Sequence, residues 1–399
     1  MGLKEFGAIY QKQLETWRHH LHAHPELSWQ ETNTTNYIES ELKKIGITQI
    51  QKPLKTGLVA TIEGNIPSEK CIALRADIDA LPIEEANTCD YKSTNQGVMH
   101  ACGHDVHTTC LIGAARYLIE NKDRWGGIIK LIFQPSEEKQ PSGAEAMIQA
   151  GVLDSPKVEN IIGLHVTPEL EVGKLGFRSG AFMASADEIY ITIIGKGGHG
   201  ASPHLCIDPI VLSANIILAL QQLVSRYADP KMPTVLTFGD IHGYGATNII
   251  PDKVELKGTL RTFDEQWRRE IQQKIKSVAE SIARGFGGDC IVNIPEGVPF
   301  VYNDYALTEK IKTSAERIFG SDNVVEMPIR MGAEDFSFYG QKCPASFFRL
   351  GTGNASKGTT VTVHNSKFNI DEEALSIGGY ALATMAMDLL ADKVVDTGR

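Results

Sequence analysis

Apolar positions along the chain change period repeatedly, and the changes predict its elements. Residues 4–22 read as a helix, with Pro25 consistent with its end. A second helix covers residues 31–45, with Gly46 as a stop. Unbroken apolar runs at 57–63, 71–77, 127–134 and 160–165 read as strands, and helical spacing at 107–121 and 143–150 falls between them. Strands that alternate with helices in this way predict an α/β fold with a mixed, mostly parallel sheet and helices on both faces.

The middle of the chain has another rhythm. Strand patterns at 187–195, 233–242, 253–261 and 290–294 enclose two helices. The first starts at Asp208-Pro209 and turns Leu212, Ile216, Ala219, Leu220 and Leu223 to one side. The second is capped by Asp264 and aligns Trp267, Ile271, Ile275, Val278 and Ile282. The order β-α-β-β-α-β is the ferredoxin-like pattern, and its length of about 110 residues suits a small domain. The expected organisation is a discontinuous domain of residues 1–183 and 297–399, interrupted by an inserted domain at 184–296. Helices at 305–319 and 371–390 complete the first domain.

Composition narrows the function. The 399 residues carry a net charge of −10, which excludes nucleic acid as the main partner. No apolar run is read as long enough to span a bilayer, and the first ten residues lack a signal-peptide core, so a cytoplasmic location is expected. Seven widely spaced cysteines without a CxxC pair argue against a disulfide framework.

Polar residues that could carry chemistry gather where strands are expected to end, the place where such sheets bind ligands. His100-Ala101-Cys102-Gly103-His104-Asp105-Val106-His107 offers a thiol and several imidazoles, donors suited to zinc and its neighbours. Phe133-Gln134-Pro135-Ser136-Glu137-Glu138 places two carboxylates after an apolar strand, so that one could bind metal while the other faces substrate. His165 is read as ending a strand, and His364 lies in Val361-Thr362-Val363-His364-Asn365. Asp77 is placed to orient a ligating histidine. Each of these alone is more often an ordinary structural residue. Arg18-His19-His20-Leu21-His22-Ala23-His24-Pro25 has histidines four apart, but no Glu follows the first and Pro25 closes the helix. A structural role is expected there.

Taken in order, seven motifs resemble the M20 metallopeptidase family, and most closely its amidohydrolase branch. They are His24-Pro25-Glu26-Leu27-Ser28, Leu74 to Pro82, Met99 to Asp105, Gln134 to Glu138, Gly198-His199-Gly200-Ala201-Ser202-Pro203-His204, Thr247-Asn248-Ile249-Ile250-Pro251, and Met331-Gly332-Ala333-Glu334-Asp335-Phe336. The resemblance implies a catalytic domain split by a ferredoxin-like lid and a pair of divalent metal ions: zinc, manganese, nickel or cobalt. It further implies Cys102, His104, Glu138, His165 and His364 as ligands and Glu137 as catalytic base. His199 matches a lid histidine that reaches a partner subunit's site in related dimers, so a homodimer or higher oligomer through the lid is expected. Asn248 and Gly332 would lie beside the substrate, and Asp77 and His107 behind the ligands. Arg75 stands where the peptidase branches carry a ligating histidine, so their activities transfer poorly.

Amide hydrolysis needs a nucleophile, a polarised carbonyl and a proton for the amine. Five ligands exceed the three of an open catalytic zinc site and the four of a closed structural one. Shared out through a bridging Cys102, they would give three bonds to each of two ions. Glu137 would carry the proton, His199 would donate to the oxyanion, and Arg261 could clamp a substrate carboxylate. The expected substrate is a small N-acyl amino acid with an acetyl, benzoyl or similar acyl group. The alternatives are a dipeptidase or carboxypeptidase of the same family, a thiol hydrolase using Cys102, or a metal-binding module without catalysis.

Overall fold

The computed structural model describes residues 2–391. The first run of elements is α1 (Leu3–Ala23), α2 (Thr32–Lys44), β1 (Leu58–Glu63), β2 (Ile66–Asp77), α3 (His104–Glu120), β3 (Gly126–Gln134), α4 (Gly143–Gln149) and β4 (Asn160–Glu171). The middle run is β5 (Asp187–Ile194), α5 (Pro209–Gln222), β6 (Val235–Gly243), β7 (Lys253–Arg261), α6 (Glu265–Gly285) and β8 (Asp289–Asn293). The last is α7 (Tyr305–Phe319), β9 (Ala345–Gly353) and α8 (Glu373–Leu390). Two compact units result. The first falls within Met1–Gly180, Tyr302–Pro328 and Phe338–Arg399, the second within Ala181–Val301 and Ile329–Ser337.

In the first unit the sheet order is Ile50–Gln51, β1, β3, β2, β4, β9, Leu175–Phe177, Val324–Glu326. The four inner strands β3, β2, β4 and β9 are mutually parallel. Cys71–Asp77 of β2 is buried at every position, as a parallel strand covered on both faces must be. The register sets Asp77 opposite Gln134 and His165 opposite Arg349. Helix α1 buries Phe6, Tyr10, Leu14, Trp17 and Leu21, spaced three and four apart along one face. That face, α3 and α8 pack into one core with the sheet, where a fully buried Leu or Phe contributes roughly 1.5–3 kcal/mol.

Two expectations need correction. Strand β9 lies in the middle of this sheet, yet no strand was expected there. Its sequence, Ala-Ser-Phe-Phe-Arg-Leu-Gly-Thr-Gly, is neither a clean apolar run nor an alternation, although all nine residues are buried. Strand β4 continues to Glu171, so His165 sits within the strand and not at its end.

The second unit is a four-stranded sheet in the order β6, β7, β5, β8, with every neighbouring pair antiparallel. Alternate residues Ile189, Ile191 and Ile193 pack against Leu212, Ile216 and Leu220 of α5 and Ile271, Ile275 and Ala279 of α6. The side chains of Asp208 and Asp264 cap the two helices by accepting from backbone N–H groups. This unit also takes in Ile329–Ser337, because Arg330 pairs its backbone with Phe182 and Ala184.

The stretch Pro209–Tyr227 is, among the described residues, one helix long and apolar enough to cross a membrane by length and composition, with a mean hydropathy of 1.3. The sequence reading passed over it because Gln221, Gln222 and Ser225 break its apolar run. One face is accounted for by the core just described. Ile210, Val211 and Leu218 on the rest of the helix are exposed.

Candidate metal centre

The turn that leads into α3 places the first two donors. Gly103 has φ of +84°, and a Cβ there would stand 2.6 Å from Val166 Cγ2. Only glycine makes this left-handed turn so close to β4 without strain. It leaves Cys102 and His104 on either side, both buried. β3 ends at Gln134 and delivers Glu137 and Glu138 through Ser136, itself at φ of +48°. β4 contributes His165. His364 comes from a loop before α8 and has φ of +61°.

These side chains converge. Cys102, His104 and His165 form one group whose donor atoms lie within 4.8 Å of one another, and Cys102, Glu138 and His364 form a second. Cys102 Sγ is 3.3 Å from His165 Nε2 and 3.3 Å from His364 Nε2. Glu138 Oε1 is 3.2 Å from His364 Nε2 and 3.8 Å from His104 Nε2. His104, Glu137 and Glu138 form a further group within the same limit. The one sulfur common to both triads is that of Cys102.

The donor set fits divalent metal. His104 Nε2 is a buried polar atom with no hydrogen-bond partner, although buried polar atoms normally have one. His165 donates Nδ1–H to the carbonyl of Val166 at 2.7 Å, which leaves the Nε2 lone pair toward the sulfur. Burial, with Arg349 and His107 nearby, holds His165 well below the usual range, so the ring is neutral as a ligand must be. Burial opposes charge on His104, yet Asp77, Asp79 and Glu138 push it up to about 10. Carboxylates that favour an imidazolium this strongly also favour a metal cation on the same nitrogen. Burial pushes the Cys102 thiol well above its usual range, and Glu138, Glu137 and Asp77 add to the effect.

Behind the donors lies a buried polar layer. Asp77 Oδ1 takes His107 Nδ1–H at 2.6 Å, and His107 Nε2 accepts the N–H of Val166 at 2.9 Å. With both nitrogens occupied, His107 is a support of β4 beside His165. Burial would raise Asp77, but His104, Arg75 and His107 hold it well below the usual carboxylate range. Arg75 donates to Asp77 Oδ2 at 2.7 Å and to Gln134 Oε1 at 2.8 Å, locking β2 to β3. Where metal-ligating chemistry was ruled out for it, Arg75 has this bracing role instead. The carboxylate that bonds the His104 ring is not Asp77. It is Asp79, 3.2 Å from Nδ1, a residue that sequence reasoning passed over. The available signal was a second Asp two positions beyond the first.

The remaining expected residues lie in the second unit. His199 and Asn248 are brought together: His199 pairs with Ile249 on short antiparallel strands, and Gly200 N–H donates to Asn248 O at 2.8 Å. Both are exposed, and His199 Nδ1 accepts the N–H of Ala201. Arg261 ends β7, where burial lowers its proton affinity against the pull of Asp187 and Glu188. Gly332 sits on an exposed turn whose nearest neighbour is Met183. The N-terminal histidines hold the fold. Arg18 and His22 bond Asp105 at 3.0 and 2.8 Å, His22 also bonds Glu85 at 3.1 Å, and His20 stacks on Tyr37.

A mostly parallel α/β sheet that carries Cys, His and Glu donors of this kind offers the ligand set of a divalent-metal enzyme. Residues 73–388 match peptidase family M20/M25/M40, and the chain belongs to that family. It is 41% identical to an N-acetyl-L-cysteine deacetylase of Bacillus subtilis over 95% of this chain and 89% of the relative. It is 40% identical to thermostable carboxypeptidase 2 of Saccharolobus solfataricus over 94% of this chain and 96% of the relative. An N-acyl-L-amino acid amidohydrolase of Geobacillus stearothermophilus is 44% identical over 71% of this chain and 78% of its own. Among solved structures, a dinuclear metal-binding peptidase of the M20 family from Bacillus subtilis superposes with a TM-score of 0.84. It is 36% identical, with 96% of this chain and 99% of that one covered. The chain is a metal-dependent amidohydrolase.

Proposed function

We propose that the chain cleaves the amide bond of N-acyl amino acids, releasing a carboxylic acid and a free amino acid, at a centre of two divalent metal ions. The observation that carries this reading is the pair of donor triads meeting on Cys102. Cys102, His104 and His165 would hold one ion and Cys102, Glu138 and His364 the other. Bound there, the ions supply Lewis acidity and a nucleophile at neutral pH. A thiolate and three imidazoles favour zinc, nickel or cobalt over manganese.

Glu137 is the proton carrier. It lies within reach of His104 and Glu138 yet belongs to neither triad. It takes the proton of the attacking water and gives it to the leaving amine. His199 donates to the oxyanion, Arg261 holds the substrate carboxylate, and Asn248 and Gly332 line its path. The uncovered apolar residues of α5 and the edge strand β6 support assembly of two copies through the second unit, with His199 serving the partner's centre. The names of the N-acyl amino acid relatives support the substrate class. The carboxypeptidase relative favours a second reading, removal of a C-terminal residue from a peptide.

One experiment separates these readings. The enzyme is loaded with each metal in turn and assayed on N-acetyl and N-benzoyl amino acids and on N-blocked dipeptides. We expect two ions per chain and turnover of the N-acyl amino acids. Turnover of the peptides alone would replace the first reading with the second. Glu137→Gln should keep both ions and lose at least about 100-fold in kcat; retained turnover would remove it as the base. Heterodimers of Glu137→Gln with His199→Ala should regain activity, and none would sink the role across subunits.

A further inference from the structure

The loop that carries Glu137 and Glu138 is suspended by its own amides from two buried carboxylates. Three consecutive N–H groups donate to them: Ser136 to Glu31 Oε1 at 2.8 Å, Glu137 to Asp79 Oδ1 at 3.1 Å, and Glu138 to Asp79 Oδ2 at 3.1 Å. Asp79 accepts two more bonds, from His104 Nδ1–H at 3.2 Å and from Ser28 Oγ–H at 2.7 Å. A carboxylate has about four acceptor positions, and here all are filled. Asp79 and Glu31 are 1% and 0% exposed.

We propose that Asp79 is the positioning residue of this enzyme, fixing the base Glu137 and the ligands Glu138 and His104 in one frame, with Glu31 extending that frame to Ser136. This rests on the reading of Glu137 as base and of His104 and Glu138 as ligands. The physical reason is geometric. Glu137 and Glu138 follow one another in a bend after Ser136, so the two carboxylates reach different targets only while the backbone between them keeps its orientation. One carboxylate gripping both amides sets that orientation. Its bond to His104 sets the tautomer of that ring, with the proton on Nδ1 and the lone pair on Nε2. The donors attached to Asp79 come from three places, the segment before α2, the turn after β3 and the start of α3, so a shift in any of them is felt by the other two.

Asp79→Asn tests the idea, because the amide keeps the shape but exchanges one acceptor oxygen for a donor and strands two of the four N–H or O–H groups. The metal-loaded variant is compared with wild type in kcat, in KM, and in metal affinity by competition with a chelator. We expect a fall of about 10–100-fold in kcat and in affinity for the weaker ion, with KM within about threefold. A folded variant within about threefold of wild type in both kcat and metal affinity overturns the proposal. Glu137→Gln run beside it isolates the failure. If that variant is inactive while Asp79→Asn is unimpaired, the positioning role alone is lost; if it is active, the reading of the base is lost instead. Should Asp79→Asn not fold, Ser28→Ala carries the test by removing a single donor. A fall in kcat of about 3–10-fold at unchanged KM supports the proposal, and an unchanged kcat overturns it.

Discussion

Glu31 accepts the amide of Ser136 from a fully buried position, and burial, with Asp79 adding to it, pushes its carboxyl up to about 7. The Ser136 amide and Thr56 pull the other way. The folded state therefore keeps a proton that the unfolded chain loses near pH 4.5. The associated stability is complete below that pH and is lost as pH rises to about 7. A shift of this size corresponds to about 3 kcal/mol. Glu31→Gln keeps an acceptor for Ser136 and has nothing to titrate. Thermal melts at pH 5 and pH 8 should differ less for this variant than for wild type, and an equal difference would contradict the assignment. In the sequence Glu31 is one acidic residue before a helix, and nothing there announces a buried carboxylate. Cys102, His104, Glu137 and Glu138 were legible because their spacing is itself the signal. Asp79 was half legible: its motif was noticed, but attention went to Asp77, whose partner turned out to be His107.

Among elements, the start of α4 sets a limit on the same loop. A Cβ on Gly143 would lie 1.6 Å from Pro135 O, and Gly143 N–H donates to Ser136 O at 2.9 Å. Helix and loop thus touch backbone to backbone. Gly143→Ala must move one of them, and overpacking of this kind costs about 1–3 kcal/mol. We expect a lower Tm together with a fall in kcat beyond what the stability loss explains. A variant with wild-type Tm and kcat would show that the contact can relax freely. Most elements were legible from period alone, since amphipathic helices such as α1 and α6 and the buried strand β2 each follow a single rule. β9 was not legible. Its Arg349 and glycines belong to the packing around His165 and the neighbouring strands, and only tertiary contacts make them suitable for a central strand.

For the whole molecule, the proposed centre is assembled from four stretches of chain, around residues 102–104, 137–138, 165 and 364, which meet only when the first unit has folded. The sequence could supply this list through the order of its motifs. The bond arithmetic already made Cys102 the expected bridge, and in the structure its sulfur falls in both donor groups. That sharing makes the two positions interdependent. If the centre takes two ions as proposed, Cys102 would be held as a thiolate once one side is filled, and would then be a prepared donor for the other. Metal uptake should then be cooperative, rising more steeply than a single-site curve when the metal-free enzyme is titrated, with half-loaded molecules scarce at every stage. Two independent, well-separated steps would mean that the positions do not communicate through the sulfur. For a cell short of metal, such cooperativity would divide the population between full and empty enzymes, with few in a half-working state.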